Sequence, residues 1–225
     1  MQRWVIPATK LGAFVAAMER VLRVYARAVD PRFPVVCLDE AGTALREHVR
    51  PPLPMTPGHP RREDYEEARG GFANLLLFVA PFLGYRQILV TSRQTKHEFA
   101  HALRHLVASF PEAERITLVL DNASTHQPGA LFEAFSPDEA AAIDAKLEWV
   151  FTPKHGSWLN LAELEWSVLR RRCLHRRIPD EATLVREIAA WVTDRNAERV
   201  AYSWRFTPED ARRAMRALRK AAYTR

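Results

Sequence analysis

Apolar positions recur at helical spacing through residues 11–28, where Phe14, Met18, Val21, Leu22 and Tyr25 share one stripe. The period predicts an amphipathic helix laid on a core. The next run, PVVCLDEA at residues 34–41, is β-branched, follows a proline and ends in carboxylates, so it reads as a short buried strand that closes at Asp39. Five prolines then fall between Pro51 and Pro60, and residues 50–71 keep no period, which predicts a loop or irregular ribbon. Residues 72–81 and 86–91 read as two strands joined by a turn at Gly84. A helix over 96–109, a strand closing at Asp121, a helical stretch within 129–145 and a strand from Leu147 follow. After Pro153 the pattern turns helical, over 158–174, over 181–199 with Asp180 as cap, and over 208–222 with Thr207 as cap.

Strands alternating with helices predict an α/β fold with a mixed or mostly parallel sheet flanked by helices, carrying extra helices at the C-terminal end. With 48% hydrophobic residues and 10% aromatics the chain is too apolar to be disordered, and 225 residues suit one large domain or two small ones. The longest apolar run, residues 75–83, contains Pro81 and falls far short of the roughly 20 residues that span a bilayer. Residues 11–18 lead into Glu19 and Arg20 without a small-residue cleavage site, so neither a membrane anchor nor a signal peptide is expected. Cys37 and Cys173 lie far apart without a CxxC, which fits a reducing cytoplasm.

Charge changes the picture more by region than in total. The net charge is +6, but residues 1–150 carry 17 basic and 18 acidic side chains while residues 151–225 carry 16 and 9. Of the 33 basic residues 28 are arginine, including Arg170, Arg171, Arg172, Arg176 and Arg177, and guanidinium forks suit phosphate. Two readings stand side by side, a polyanionic partner and ordinary solvated helix faces.

One motif invites a zinc reading. His97-Glu98-Phe99-Ala100-His101 matches the HExxH pattern, and His105 extends the series. Projection onto a helix argues against it: Phe99, Leu103, Leu106 and Phe110 form the buried face and the three histidines lie nearly opposite. A solvated histidine stripe is expected, with no third ligand at zinc spacing.

Three carboxylates are better placed. Asp39 and Asp121 each close a strand, and Glu163 stands early in the helix behind the strand at 147–151. Adjacent strand ends bring such groups together, and hard oxygen ligands suit Mg²⁺ or Mn²⁺ rather than zinc. Two ions about 4 Å apart would activate a water or 3′-hydroxyl and stabilise the leaving oxygen of a phosphoryl displacement. The plain alternative is that each strand-end Asp serves a turn or cap.

LDEAG at residues 38–42, VLDNASTH at 119–126 and TPKHGSWLNLAELEWSVLRRRCL at 152–174 resemble the three acidic motifs of bacterial insertion-sequence transposases, the IS-six-thirty branch of the mariner superfamily. DYEEARGG at 64–71 and RNAERVAYSWRFTPEDAR at 195–212 are similar to that branch as well, so the resemblance runs from about Phe14 to the C-terminus. It implies a ribonuclease-H-like fold with a DDE triad. By position it assigns Asp39, Asp121 and Glu163 as catalytic metal ligands, with two Mg²⁺ or Mn²⁺ ions. Glu163 follows Leu159-Asn160 as the family's acid follows its Leu-Asn pair; Glu165 is the rival, about 200° away on a helix. Asn122 and His126 would support the ligands. Lys154, His155, Asn160, Arg170, Arg171 and Arg172 would contact DNA. For Asn122, His126, His155 and Asn160 a turn or cap role stays open. Glu40 points to the opposite strand face and is not expected to be a ligand.

The resemblance further implies cleavage at transposon ends, strand transfer into TA-containing target DNA, a homodimer or larger assembly on DNA, and a cytoplasmic, nucleoid-associated protein without membrane contact. Only 38 residues precede Asp39, which is too few for the family's helix-turn-helix modules. The expected organisation is an N-terminal helix (1–30) packed on a DDE catalytic domain (31–225), with the DNA-recognition domain absent. Two alternatives remain: a ribonuclease-H-like nuclease without strand transfer, and a remnant that regulates by binding DNA or the full-length transposase.

Overall fold

The structure is a computed structural model and describes residues 11–222. The first ten residues of the expected N-terminal unit lie outside the described residues. Five strands form one mixed sheet in the order β3-β2-β1-β4-β5. They are β1 (Val35–His48), β2 (Glu67–Ala80), β3 (Tyr85–Thr91), β4 (Ile116–Leu120) and β5 (Leu147–Phe151). The β3-β2-β1 half is antiparallel and the β1-β4-β5 half is parallel. The β2–β3 hairpin is as expected, and Gly84 makes its turn at φ 67°, a backbone region that glycine enters without penalty.

Strand period sorts the core into two layers. Val36, Leu38, Leu76, Phe78, Leu118 and Leu120 face α2 (Lys96–Ser109), α3 (Gly129–Ala134) and α4 (Pro137–Ala145), where Phe99, Leu103, Leu106, Leu131 and Ile143 close the layer. Cys37, Leu75, Leu77, Val79, Val119 and Val150 face the other way, against α1 (Leu11–Tyr25), α5 (Ala162–Arg172), α6 (Glu181–Ala197) and α7 (Pro208–Ala222). All five stripe residues of α1 are buried in that second layer.

Four boundaries differ from the sequence reading. The first strand does not close at Asp39 but continues to His48, because β2 pairs with it from Cys37↔Val79 to His48↔Glu67; residues 67–71 are correspondingly strand rather than loop. This outer half is largely solvent-exposed and held by its backbone ladder, so it carries no apolar alternation to read. Residues 129–145 hold two helices, divided where Ser136 caps α4 by accepting from the Glu139 N–H. The helix expected over 158–174 is a single 3₁₀ turn (Ser157–Leu159), then a break at extended Asn160, then α5. The first helix ends at Tyr25 rather than Ala28. The caps at Asp180 and Thr207 are in place; Thr207 and Asp210 exchange hydrogen bonds in a capping box.

Candidate active site

Parity along β1 and β4 decides which carboxylates share a face. Cys37 and Val119 are partners in the parallel register, and both pack into the α5 layer. Asp39 and Asp121 stand two residues further along each strand line, so a period of two directs both toward that side. The parallel ladder between β1 and β4 ends at Cys37↔Val119, and the two aspartates therefore lie just beyond it, where the strands no longer bond to each other. Asp39 is mid-strand in β1 yet past the end of its parallel partner.

The third motif reaches the same place through a turn. Gly156 donates its N–H to the Pro153 carbonyl at 2.8 Å, His155 takes φ 63°, and a Cβ on Gly156 would lie 2.5 Å from Pro153 Cγ. After the 3₁₀ turn, buried Asn160 donates from Nδ2 to the Leu38 carbonyl at 2.6 Å and accepts the Ala162 N–H at 3.2 Å. The start of α5 is thereby tied to the strand residue before Asp39. Glu163, in the first turn of α5, is exposed, whereas Glu165 is fully buried and bound to Arg86 and Arg195. Of the two, Glu163 alone is open to solvent.

The electrostatics follow from this placement. Burial pushes the Asp39 carboxyl up to about 6, the Glu163 charge adds to that, the Glu40 backbone N–H at 3.0 Å pulls it back, and Asp121 pushes it up again. Asp121 is held below the usual carboxylate range by the His126 imidazole, whose Nδ1 lies 2.5 Å from its Oδ1. Burial alone would lower His126, but the hydrogen bond to Asp121 and the nearby Glu40 carboxylate win and hold it at about 9. Its Nε2 stands 3.2 Å from Glu40, Gln94 donates to the same carboxylate, and the ring packs on Phe99 at 4.8 Å. Glu40 thus faces the α2 side, opposite Asp39, and acts there through the histidine.

Asp39 in β1 is within electrostatic range of both Asp121, at the end of β4, and Glu163 in α5. Among the described residues no group of three or more His, Cys, Asp or Glu side chains is arranged to hold a metal ion. Carboxylate oxygens are nonetheless the donors that suit a hard divalent cation, and Asp39, raised mainly by burial, also feels the charges of Glu163 and Asp121. Asn122 donates to the Thr152 carbonyl at 2.5 Å and ties the β4 and β5 ends together. Lys154, His155, Arg170, Arg171 and Arg172 are exposed. Asn160 is not a DNA contact, because it is buried and both ends of its amide serve the backbone. The histidine stripe of α2 is exposed as expected.

Sequence reasoning missed Glu40 beside His126, Gln94 as the donor to Glu40, and the Arg86, Arg195 and Tyr202 cluster around Glu165. Arg86 had one signal, a lone charge in the strand YRQILV. Asn196 was missed too; its side chain pairs with both the N–H and the carbonyl of Arg86 at 2.8 Å and so mimics a strand neighbour on the sheet edge.

The family model of the DDE superfamily endonucleases matches residues 34–185, a span that holds all three carboxylates. The chain belongs to this family. No curated protein is matched. Among solved structures, this DDE endonuclease chain is similar to the Mos1 mariner paired-end complex with Mn, at 18% identity and a TM-score of 0.61, covering 93% of this chain and 63% of that one. It is similar to the Mos1 strand transfer complex at 14% identity and a TM-score of 0.54, covering 93% and 62%. The catalytic domain of Mos1 mariner transposase matches at 14% identity and a TM-score of 0.52, covering 88% of this chain and 96% of that one. The likeness establishes the ribonuclease-H-like fold, and the chain spans about 63% of the first Mos1 chain. Among the described residues no helix is long and apolar enough to cross a membrane.

Proposed function

We propose that this DDE endonuclease chain is the catalytic part of a DNA transposase that cleaves phosphodiester bonds at element ends and joins the freed 3′-hydroxyls to TA-containing target DNA. The observation that supports the reading is that Asp39, raised to about 6 mainly by burial, also feels the charges of Glu163 and Asp121, which come from two other parts of the chain. Two of the similar Mos1 structures are paired-end complexes with Mn and with Mg, which supports the same class of ion here.

Asp39, Asp121 and Glu163 would hold two divalent ions. When bound, such ions activate a water or 3′-hydroxyl and stabilise the leaving oxygen. His126 engages one oxygen of Asp121 and leaves the other for the ligand role, while Glu40, itself held by Gln94, stands behind the imidazole. Asn160 sets the distance between β1 and α5. Lys154 and His155 on the turn, and Arg170 and Arg171 at the end of α5, are placed to meet phosphates, and assembly as a dimer on DNA belongs to the same proposal.

The test is metal-dependent cleavage and joining of an oligonucleotide carrying an element end. Asp39→Asn, Asp121→Asn and Glu163→Gln should each abolish both steps while leaving the fold intact. Wild-type turnover in any one of them would remove that residue from the site. Cleavage without joining would assign a nuclease, and DNA binding without either step would assign a regulator.

A further inference from the structure

The buried glutamate of α5 has no part in the metal reading, yet it is the most heavily bonded carboxylate of the chain's second layer. Its Oε1 accepts from the Tyr202 hydroxyl at 2.6 Å, from Arg86 Nη2 at 2.7 Å and from Arg195 Nη2 at 3.2 Å. Arg86 Nη2 also donates to the Val200 carbonyl, and its guanidinium lies 5.8 Å over the Tyr202 ring. Arg195 pairs with Glu198 at 2.9 Å, so the charges balance; even so, Arg86 Nε and Nη1 are buried with no hydrogen-bond partner. β3, α5, α6 and the segment at 200–202 meet on one carboxylate.

A buried ion pair is weak support for stability, since apolar replacements of similar volume often do as well. Its distinctive contribution is direction. Ala162, Trp166 and Leu169 pack the inner face of α5 through contacts that tolerate some rotation, whereas hydrogen bonds to one carboxylate do not. Residues two apart lie about 200° round a helix, so holding Glu165 inward sets the angle at which Glu163 leaves the other side. Asn160 already sets the position of α5 along its axis, beside Leu38. We infer that the Glu165, Arg86, Arg195 and Tyr202 cluster is a positioning device that fixes the rotation of α5 and thereby aims Glu163 at Asp39. The inference rests on the proposed role of Glu163 in holding metal. Glu165 touches no reacting atom and acts through Glu163.

Mn²⁺ binding to the full chain without DNA, followed by calorimetry and by electron paramagnetic resonance beside thermal unfolding, tests it. Glu163→Gln should weaken Mn²⁺ about tenfold or more without lowering the melting temperature. Arg86→Met with Glu165→Leu removes both charges together and should melt within about 5 °C of wild type, yet bind Mn²⁺ about tenfold more weakly. Tyr202→Phe removes one hydrogen bond at the rim and should weaken Mn²⁺ about threefold with little change in melting. Adding Glu163→Gln to either background should bring no further loss from the cluster change, because the aim of an absent carboxylate has no effect. Wild-type Mn²⁺ affinity in a stable cluster variant, or losses that simply add, would overturn the inference. If the double variant fails to fold, Tyr202→Phe decides alone. Unchanged Mn²⁺ binding in Glu163→Gln would instead sink the metal reading itself, a distinguishable failure.

Discussion

Asn160 donates to the carbonyl of Leu38 at 2.6 Å, one residue before Asp39, and accepts from the N–H of Ala162, one residue before Glu163. A single buried amide therefore spaces two of the three carboxylates. Asn160→Ala leaves the Leu38 carbonyl without its donor and should lower stability by about 1–3 kcal/mol in denaturant unfolding. Metal-dependent cleavage should fall about tenfold or more, because small displacements of reacting groups are heavily penalised. Asn160→Asp keeps the acceptor but turns an oxygen toward the carbonyl and should do no better. Unchanged stability and turnover would remove the spacing role.

Glu163→Gln and Glu165→Gln are expected to fail in different ways. The first sits on the surface and should abolish cleavage at unchanged or slightly raised stability, since it relieves repulsion at Asp39. The second leaves fully buried Arg86 facing a neutral amide and should lower stability by about 3–5 kcal/mol. Melting curves recorded with the cleavage assay separate the two. Equal melting temperatures would show that the buried charge is not in force.

The Asp39 carboxyl, pushed up to about 6 from an ordinary 3.8, gives a pH dependence with a definite sign. A folded pKa above the unfolded one favours folding at low pH, and that contribution is lost as pH rises through about 6. At pH 7 the metal-free chain carries the penalty in full, so Asp39→Asn should stabilise it by about 1–2 kcal/mol. Protons and metal compete for the same oxygens, so Mn²⁺ should raise the melting temperature at pH 7 and much less at pH 5. A metal-induced rise of equal size at both pH values would contradict this.

His126 reaches Asp121 with Nδ1 and Glu40 with Nε2. Groups that orient a metal ligand in this manner typically change metal affinity 10–100-fold when removed, and His126→Ala should weaken Mn²⁺ by roughly that factor. Glu40→Gln should produce a smaller loss in titrations of the same kind. A null effect of His126→Ala would reduce the histidine to a packing residue on Phe99.

Binding of nonspecific duplex DNA should depend on salt through the basic C-terminal third. If about five cations reach phosphates, log K should fall with log salt at a slope of about −4 to −5. Arg170, Arg171 and Arg172 are exposed, but Arg172 pairs with Glu198 at 3.5 Å, so replacing all three should flatten the slope by about two rather than three units. Salt-insensitive affinity would exclude this face.

Sequence alone determined the mixed α/β class, the hairpin around Gly84, the caps at Asp180 and Thr207, and the solvated histidines of α2, because each is written in short-range periodicity or in the chemistry of one turn. The three acidic residues were named through motifs, yet the approach of Asp39 to the other two depends on long-range pairing. Asp39 lies mid-strand, and only the end of the parallel ladder at Cys37↔Val119 places it level with Asp121. Glu163 and Glu165 are chemically alike and two residues apart. What separates them is an arginine 79 positions away on β3 and another on α6, contacts that no local pattern encodes. Glu40 differs from Asp39 by one residue and one strand face, and its partner is a histidine from another loop. Local propensity sets the elements; the burial of a charge, and hence the division between an exposed Glu163 and a buried, ion-paired Glu165, is decided only when distant strands and helices close around it.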